Sequence, residues 1–372
     1  MKTKARVIAM YLPQYHPISE NDKYWGKGFT EWRNVVQAKP VFKGHYQPRI
    51  PADLGFYDLR VPEVREAQAE MARNAGIEGF MYWHYWLGNG RMLLERPFQE
   101  VLKSGKPDFP FCLGWANHSW TTKTWVKGKQ FQHDSMIMEQ LYPGEVDYVN
   151  HFNYVLPAFK DNRYITVDGK PLFLIYDPLA VPDMKDFISL WRALAVQNGL
   201  PGIHFVGLRC GRKSSKQLLL DMGFDAINDR SMWEAEGQAL GSRTKRRLLT
   251  MLSTKMGMTT SVFDYKDIVR YMIHDDYMSE DNYPTILPGY DRTARSGKSA
   301  IIYHNATPDL FKQHVHETLF CVKDKPYEHR IVFLKSWNEW GEGNYMEPDL
   351  RYDHQFLDAL KEELMYKKGI AQ

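Results

Sequence analysis

The segment Lys335-Ser-Trp-Asn-Glu-Trp-Gly-Glu-Gly-Asn-Tyr-Met-Glu-Pro348 places two carboxylates, Glu339 and Glu342, three residues apart where the apolar run Arg330-Ile-Val-Phe-Leu334 stops. Trp337 and Trp340 flank them, and Gly341 and Gly343 let the backbone turn. Paired carboxyls among aromatic rings suit glycosidic-bond chemistry: one gives a proton to a leaving oxygen, and the other helps form the new bond. An exposed acidic turn is the plainer alternative, but surface turns rarely carry two tryptophans among their glutamates. Residues i and i+3 of a continuing strand point to opposite faces, so the pair shares a cleft only if the strand ends near Asn338. A carboxyl against Trp rings keeps its proton, while a partner hydrogen-bonded by Asn338 or a Tyr hydroxyl stays ionised. Spacing alone leaves open which glutamate is which.

Other reactive or ligand-binding side chains gather at the ends of apolar runs. Tyr11 precedes Gln14-Tyr-His16, and a second run ends in Tyr82-Trp83-His84-Tyr85-Trp86. Further on come Trp115, Asn117, His118 and Trp120, then Tyr176-Asp177, Arg209, and Asn228-Asp229. With Asn338 and Trp340 these make a polar, ring-lined cleft the expected substrate site. For a single member such as His84 a structural hydrogen bond is an equal alternative, so the convergence makes the argument. No metal is expected: the histidines form no zinc-gathering pairs at strand ends, and His314 and His316 lie on different faces of a helix. No G-x-S-x-G elbow supports a serine nucleophile, and no glycine-rich phosphate turn supports a nucleotide cofactor.

The elements that must position these groups alternate. Strands are predicted at Arg6–Leu12, Gly79–Tyr85, Phe109–Trp115, Pro171–Tyr176, His204–Arg209, Phe224–Asn228, Pro284–Gly289 and Arg330–Ser336. Most are continuous apolar runs, as in parallel sheets covered on both faces. Helices are predicted over Pro62–Ala75 with Gly76 behind it, after Asp183 as cap, after Thr307-Pro308, and over Asp353–Tyr366. Eight alternating units predict an α/β fold, a single (β/α)₈ TIM barrel spanning 1–372. Long aromatic-rich loops at Pro13–Arg60, His118–Pro143 (with Trp125) and Ser231–Phe263 (with Trp233, Glu234 and Glu236) should lie over its C-terminal face.

Composition fits that picture. Net charge is +3, from 48 basic and 45 acidic residues, which gives no drive toward nucleic acid. Aromatic residues make 14% of the chain, and rings with a polar edge suit the C–H faces and hydroxyls of an oligosaccharide or polysaccharide. Cys112, Cys210 and Cys321 match no metal spacing and read as reduced thiols, two of them in strands. The N-terminal residues lead into a strand, not a signal-peptide core, and no run is long enough for a membrane span. A cytoplasmic location is therefore expected. The basic amphipathic stretch Thr244–Lys255 is expected to be a solvated helix face; peripheral contact with a lipid-linked glycan is the alternative.

The runs Ala9-Met-Tyr-Leu-Pro-Gln-Tyr-His-Pro17, Trp25-Gly-Lys-Gly-Phe-Thr-Glu-Trp32 and Gly44-His-Tyr-Gln-Pro-Arg49 resemble the WbsX family. So do Tyr82-Trp-His-Tyr85 and Trp337-Asn-Glu-Trp-Gly-Glu-Gly343, and the resemblance covers nearly the whole chain. Members of that family occur in polysaccharide and lipopolysaccharide biosynthesis clusters and carry the label glycosyltransferase. The family is similar in turn to the endo-α-mannosidases of glycoside hydrolase family 99, which are (β/α)₈ barrels with a Glu-Trp-x-Glu segment. The resemblance implies that Glu339 is the base for the sugar's own 2-hydroxyl and Glu342 the acid/base. The attack then forms a 1,2-anhydro sugar, with retention and without a metal. Gly341 stands where those hydrolases tend to have His. The expected activity is a retaining endo-type hydrolase or transglycosidase on an α-linked bacterial polysaccharide. A nucleotide-sugar glycosyltransferase of O-antigen synthesis and a non-catalytic carbohydrate-binding barrel are the alternatives.

Overall fold

A computed structural model of the chain describes residues 3–121, 136–209, 214–241 and 261–366. Eight strands form its centre: β1 (Arg6–Tyr11), β2 (Gly79–Trp86), β3 (Phe111–Trp115), β4 (Lys170–Ile175), β5 (His204–Arg209), β6 (Ala226–Asp229), β7 (Asn282–Ile286) and β8 (Ile331–Leu334). Each pairs in parallel with the next, and β8 returns to β1 with Ala9 opposite Leu334, which closes the ring. Closure leaves no unpaired edge, so strands of four to eight residues suffice. Nearly every strand residue is buried, because the inward set fills the barrel and the outward set packs on helices.

Those helices are α1 (Pro62–Asn74), α2 (Arg96–Ser104), α3 (Glu145–Phe159), α4 (Met184–Gln197), α5 (Lys216–Asp221), α6 (Met232–Ala239), α7 (Tyr265–Met272), α8 (Pro308–Val322) and α9 (Gln355–Leu364). Pro62 and Pro308 stand in the first turns of α1 and α8, where the missing N–H is an orphan anyway. Thr307 caps α8 by accepting from the Leu310 N–H at 3.3 Å. Asp183 precedes α4 but does not cap it; its Oδ1 accepts from the Tyr148 hydroxyl at 2.6 Å, tying α4 to α3.

β7 begins and ends earlier than its predicted span. After Ile286 the chain leaves the ring, and Tyr290–Asp291 pairs antiparallel with Ile301–His304. That strand also pairs with Ser261–Asp264, so a small second sheet stands over the C-terminal rim. The long loop after β1 holds two short helices, Ser19–Trp25 and Trp32–Gln37. Cys112 and Cys321 are free and buried, whereas Cys210, Trp125 and the stretch Thr244–Lys255 lie outside the described residues. No helix among the described residues is long and apolar enough to cross a membrane.

Candidate active site

A cavity of about 600 Å³ opens at the C-terminal ends of the strands. Strand alternation decides who enters it, since neighbours along a strand face opposite sides. Met10 and Leu12 reach it from β1 and its end, and Trp83 and Tyr85 from β2. Of the residues expected at the site, Gln14, Trp83, Tyr85, His118, Trp120, Tyr176, Asp177, Arg209, Glu339 and Glu342 line it.

The other expected positions do not, and the same alternation explains most of them. Tyr11 turns outward, where its hydroxyl donates to Gln68 of α1 at 2.7 Å. Tyr82 packs on Phe98 of α2, with ring centroids 5.3 Å apart. His84 bonds His151 of α3 at 2.9 Å and is pushed down to about 3 by burial, so it stays neutral. Trp115 stacks on Phe187 of α4 and donates to the Trp86 carbonyl. Asn117 and Asn338 are backbone pins. Asn117 ties to both the N–H and the carbonyl of Asp177, and Asn338 does the same to Leu12. Trp340 lies beneath the glutamates, stacked on Tyr345 at 3.7 Å.

β8 stops at Leu334, as sharing one cleft requires. Asn338–Glu339 then pairs with Asn344–Tyr345, and Trp340–Glu342 makes a single tight turn closed by Gly343 at φ 59°. The turn brings Glu339 and Glu342 to the same guanidinium. Arg295, on the short helix Thr293–Ser296, donates to Glu342 at 2.7 Å through Nη1 and to Glu339 through Nη2. Its Nε and Nη2 also grip both oxygens of Glu31, at 2.7 and 2.9 Å. Lys335 Nζ stands 3.2 Å from Glu342, and Arg292 Nε 3.6 Å.

These neighbours divide the pair. Burial raises Glu339 to about 7 against the pull of Arg295, helped by the negative charge of Glu342. Burial also opposes the charge on Glu342, but Lys335, Arg295 and Arg292 together hold it well below the usual carboxylate range. Of the two carboxyls, Glu339 is thus the one that favours the proton and Glu342 the one that favours the charge. Beneath them, burial raises Glu347 to about 7. It accepts from Trp340 Nε1 at 2.6 Å, Gln68 at 2.6 Å and the Tyr57 hydroxyl at 2.9 Å, which ties the glutamate turn to α1 and the first loop.

Glu31, Arg295, Lys335 and Arg292 were not among the residues expected at the site. Glu31 sits within Gly-Phe-Thr-Glu-Trp, one of the segments that carries the family resemblance, so a signal for it existed. Arg295 lies in a stretch with no pattern of its own. Gly341 is explained by the same cluster: a Cβ there would fall 2.3 Å from Glu31 Oε1 and 3.0 Å from Arg295 Nε. The Glu31–Arg295 pair occupies the room a side chain at position 341 would need.

A family model described as "Glycosyltransferase WbsX" matches residues 7–360. "Uncharacterized protein WxcX" of Xanthomonas campestris pv. campestris strain B100 is 35% identical over 368 residues, covering 99% of this chain and 50% of that protein. Its counterpart in strain ATCC 33913 is 34% identical over the same length. The chain thus spans about half the length of these relatives. Among solved structures, a "Glycoside hydrolase-like protein" aligns with a TM-score of 0.62 at 16% identity, over 98% of this chain and 94% of that one. The family 99 endo-α-mannosidase from Bacteroides thetaiotaomicron aligns with a TM-score of 0.58 at 15% identity, over 96% and 95%. Identities that low establish the shared barrel fold. The family match runs from β1 to α9 and spans the glutamate turn, and it places the chain in the WbsX glycosyltransferase family.

Proposed function

We propose that the protein is a glycan-active enzyme that cleaves or transfers an α-linked unit of a bacterial polysaccharide, within the chain and with retention, using Glu339 and Glu342. The observation that carries the reading is Arg295, one guanidinium bonded to both carboxylates at an aromatic-lined cavity. It keeps them close enough to act on one sugar ring, as retaining chemistry asks. The roles follow the resemblance. Glu339 takes the proton of the sugar 2-hydroxyl, whose oxygen attacks C1 as Glu342 protonates the departing oxygen. Water, or an acceptor hydroxyl, then opens the 1,2-anhydro sugar, losing its proton to Glu342 while Glu339 returns its own to the 2-oxygen.

A base near 7 suits work at neutral pH. Glycan binding must therefore move the pair's protons: Glu339 releases its own to solvent, which a value near 7 permits at neutral pH, and Glu342 takes one up. Lys335 Nζ, 3.2 Å away and pushed below the usual lysine range by burial, is the donor placed to supply it. The family description favours transfer to an acceptor as the second reading, and the same intermediate serves both outcomes.

A product screen over O-antigen and α-mannan glycans, with and without nucleotide sugars, tests the reading; the structural neighbour, an endo-α-mannosidase, makes α-mannan the first choice. Product is expected without nucleotide sugar, and turnover only in its presence overturns the reading. Glu339→Gln and Glu342→Gln should each lose 10²- to 10⁴-fold in rate, roughly the share of one acid or base. An aryl glycoside, which needs no proton on its leaving group, should restore most of the loss in Glu342→Gln only. Restoration in Glu339→Gln instead reverses the roles. Binding with no turnover in the unaltered protein makes the barrel a binding module.

A further inference from the structure

Two and three strands round the ring from β8, the ends of β6 and β5 and the start of α6 build a second piece of the cavity wall that the carboxylate chemistry does not use. Its anchor is Asp229, buried at the end of β6. Arg209 reaches Asp229 at 3.1 Å, and His274 Nε2 stands 3.3 Å from the same carboxylate. Ser231 donates to it through both its N–H (2.9 Å) and its hydroxyl (2.8 Å). Burial opposes that charge, yet His274, Arg209 and Ser231 hold the carboxyl below its usual range. The anchor maintains Ser231 at φ 47°, the left-handed region that a non-glycine residue enters at a cost and that clusters at ligand sites. The backbone turn it enforces starts α6 with Met232 and Ala235 buried while Trp233 stays 62% exposed along the cavity.

An indole left open beside a cavity, on a segment fixed by a buried charge network, is built to meet something. We propose that this wall is a second saccharide subsite, taking a further neutral pyranose ring of the same glycan whose bond Glu339 and Glu342 attack. The inference rests on the proposed function and fixes its substrate as at least a disaccharide. The Trp233 ring stacks on the C–H face of that sugar. Beside it the Arg209–Glu234 pair, 3.1 Å apart, offers planar donors and acceptors to ring hydroxyls. Arg230 lies over the Tyr176 ring at 5.4 Å on the way toward Lys335 and the carboxylates, so the two sites share one continuous floor. The ring is neutral because Arg209 is already matched by Asp229 and Glu234, which leaves no unbalanced cation on the anchor to attract an acidic sugar. A cavity of about 600 Å³ is in the range that takes an extended ligand.

The test measures binding in the Glu342→Gln protein, so that it does not depend on turnover. α-Mannan oligosaccharides of two to six units are titrated by calorimetry into that protein, and into the same protein also carrying Trp233→Ala or Trp233→Phe. Near-UV circular dichroism and Tm check that each variant is folded. Affinity should rise with length until both subsites are filled, fall about tenfold with Trp233→Ala, and be largely kept by Trp233→Phe. Equal affinity with and without the indole overturns the subsite, as does no binding by the Trp233-bearing protein. The two proposals fail separately. Trp233-dependent binding of a glycan that the unaltered protein never turns over removes the enzyme and keeps the subsite. Turnover that is indifferent to Trp233 does the reverse.

Discussion

Arg295 is the residue on which the glutamate pair depends. It meets three carboxylates, of Glu31, Glu339 and Glu342, in a largely buried pocket. Replacing it with Met leaves those charges without their shared partner, which should cost about 3–5 kcal/mol of stability. Urea unfolding at pH 7 measures this. The gap should narrow at pH 4, where the carboxyls can neutralise by taking protons; a gap independent of pH counts against the electrostatic account. That the two glutamates share one cleft was legible from residue types and spacing, because an apolar run that ends before a glycine-bearing turn can bring both to one side. Arg295 was not legible. A lone arginine more than forty residues away in sequence acquires meaning only when folding brings its guanidinium to the turn.

At the scale of elements, the barrel strands carry their information in alternate residues. Chain order put Tyr11, Tyr82, His84 and Trp115 at strand ends, but their parity turns them into the helix layer. Trp115 is therefore a packing residue, and Trp115→Ala should destabilise by about 3–5 kcal/mol in denaturant titrations while glycan affinity per folded molecule stays unchanged. The glutamate turn is held from below by Glu347, and this gives a pH signature. Burial raises Glu347 and Glu339 to about 7 in the folded chain, above their unfolded value of 4.5. For such groups the folded form binds protons more tightly. Their contribution to stability is fully present below about pH 4.5 and is lost as pH rises through about 7. Glu342 acts in the opposite sense, losing its contribution as pH falls below the usual carboxylate range. Buried histidines such as His84, held below their usual range, push the other way over the same interval, so the carboxyl's share is read as a difference: between pH 5 and pH 7.5 the urea midpoint of the unaltered protein should fall relative to that of Glu347→Gln. An unchanged slope in Glu347→Gln would mean that its carboxyl is already ionised at pH 5.

For the whole molecule, the closed ring explains how groups from residues 31, 83, 209, 295 and 342 come to serve one cleft. A parallel barrel puts the C-terminal end of every strand on the same rim, so one cavity collects residues from the full length of the chain. The chemistry proposed for that cleft uses only side chains of this chain. Turnover of the active glycan should accordingly survive prolonged dialysis against EDTA, and its loss, with recovery on adding a divalent cation, would assign a metal to the reaction. The amino-acid sequence by itself determined the fold class and the number of barrel units, and it pointed to the two glutamates, because hydrophobic period and residue type are local properties. It also carried the family, because long motifs in order survive without any knowledge of contacts. Only the tertiary structure decided which ring-bearing residues face the cleft, why position 341 is glycine, and where the pair's proton rests. Those depend on strand parity, on Glu31 and Arg295 filling one shared space, and on the burial and cations around each carboxyl, none of which is written in the neighbouring residues of the chain.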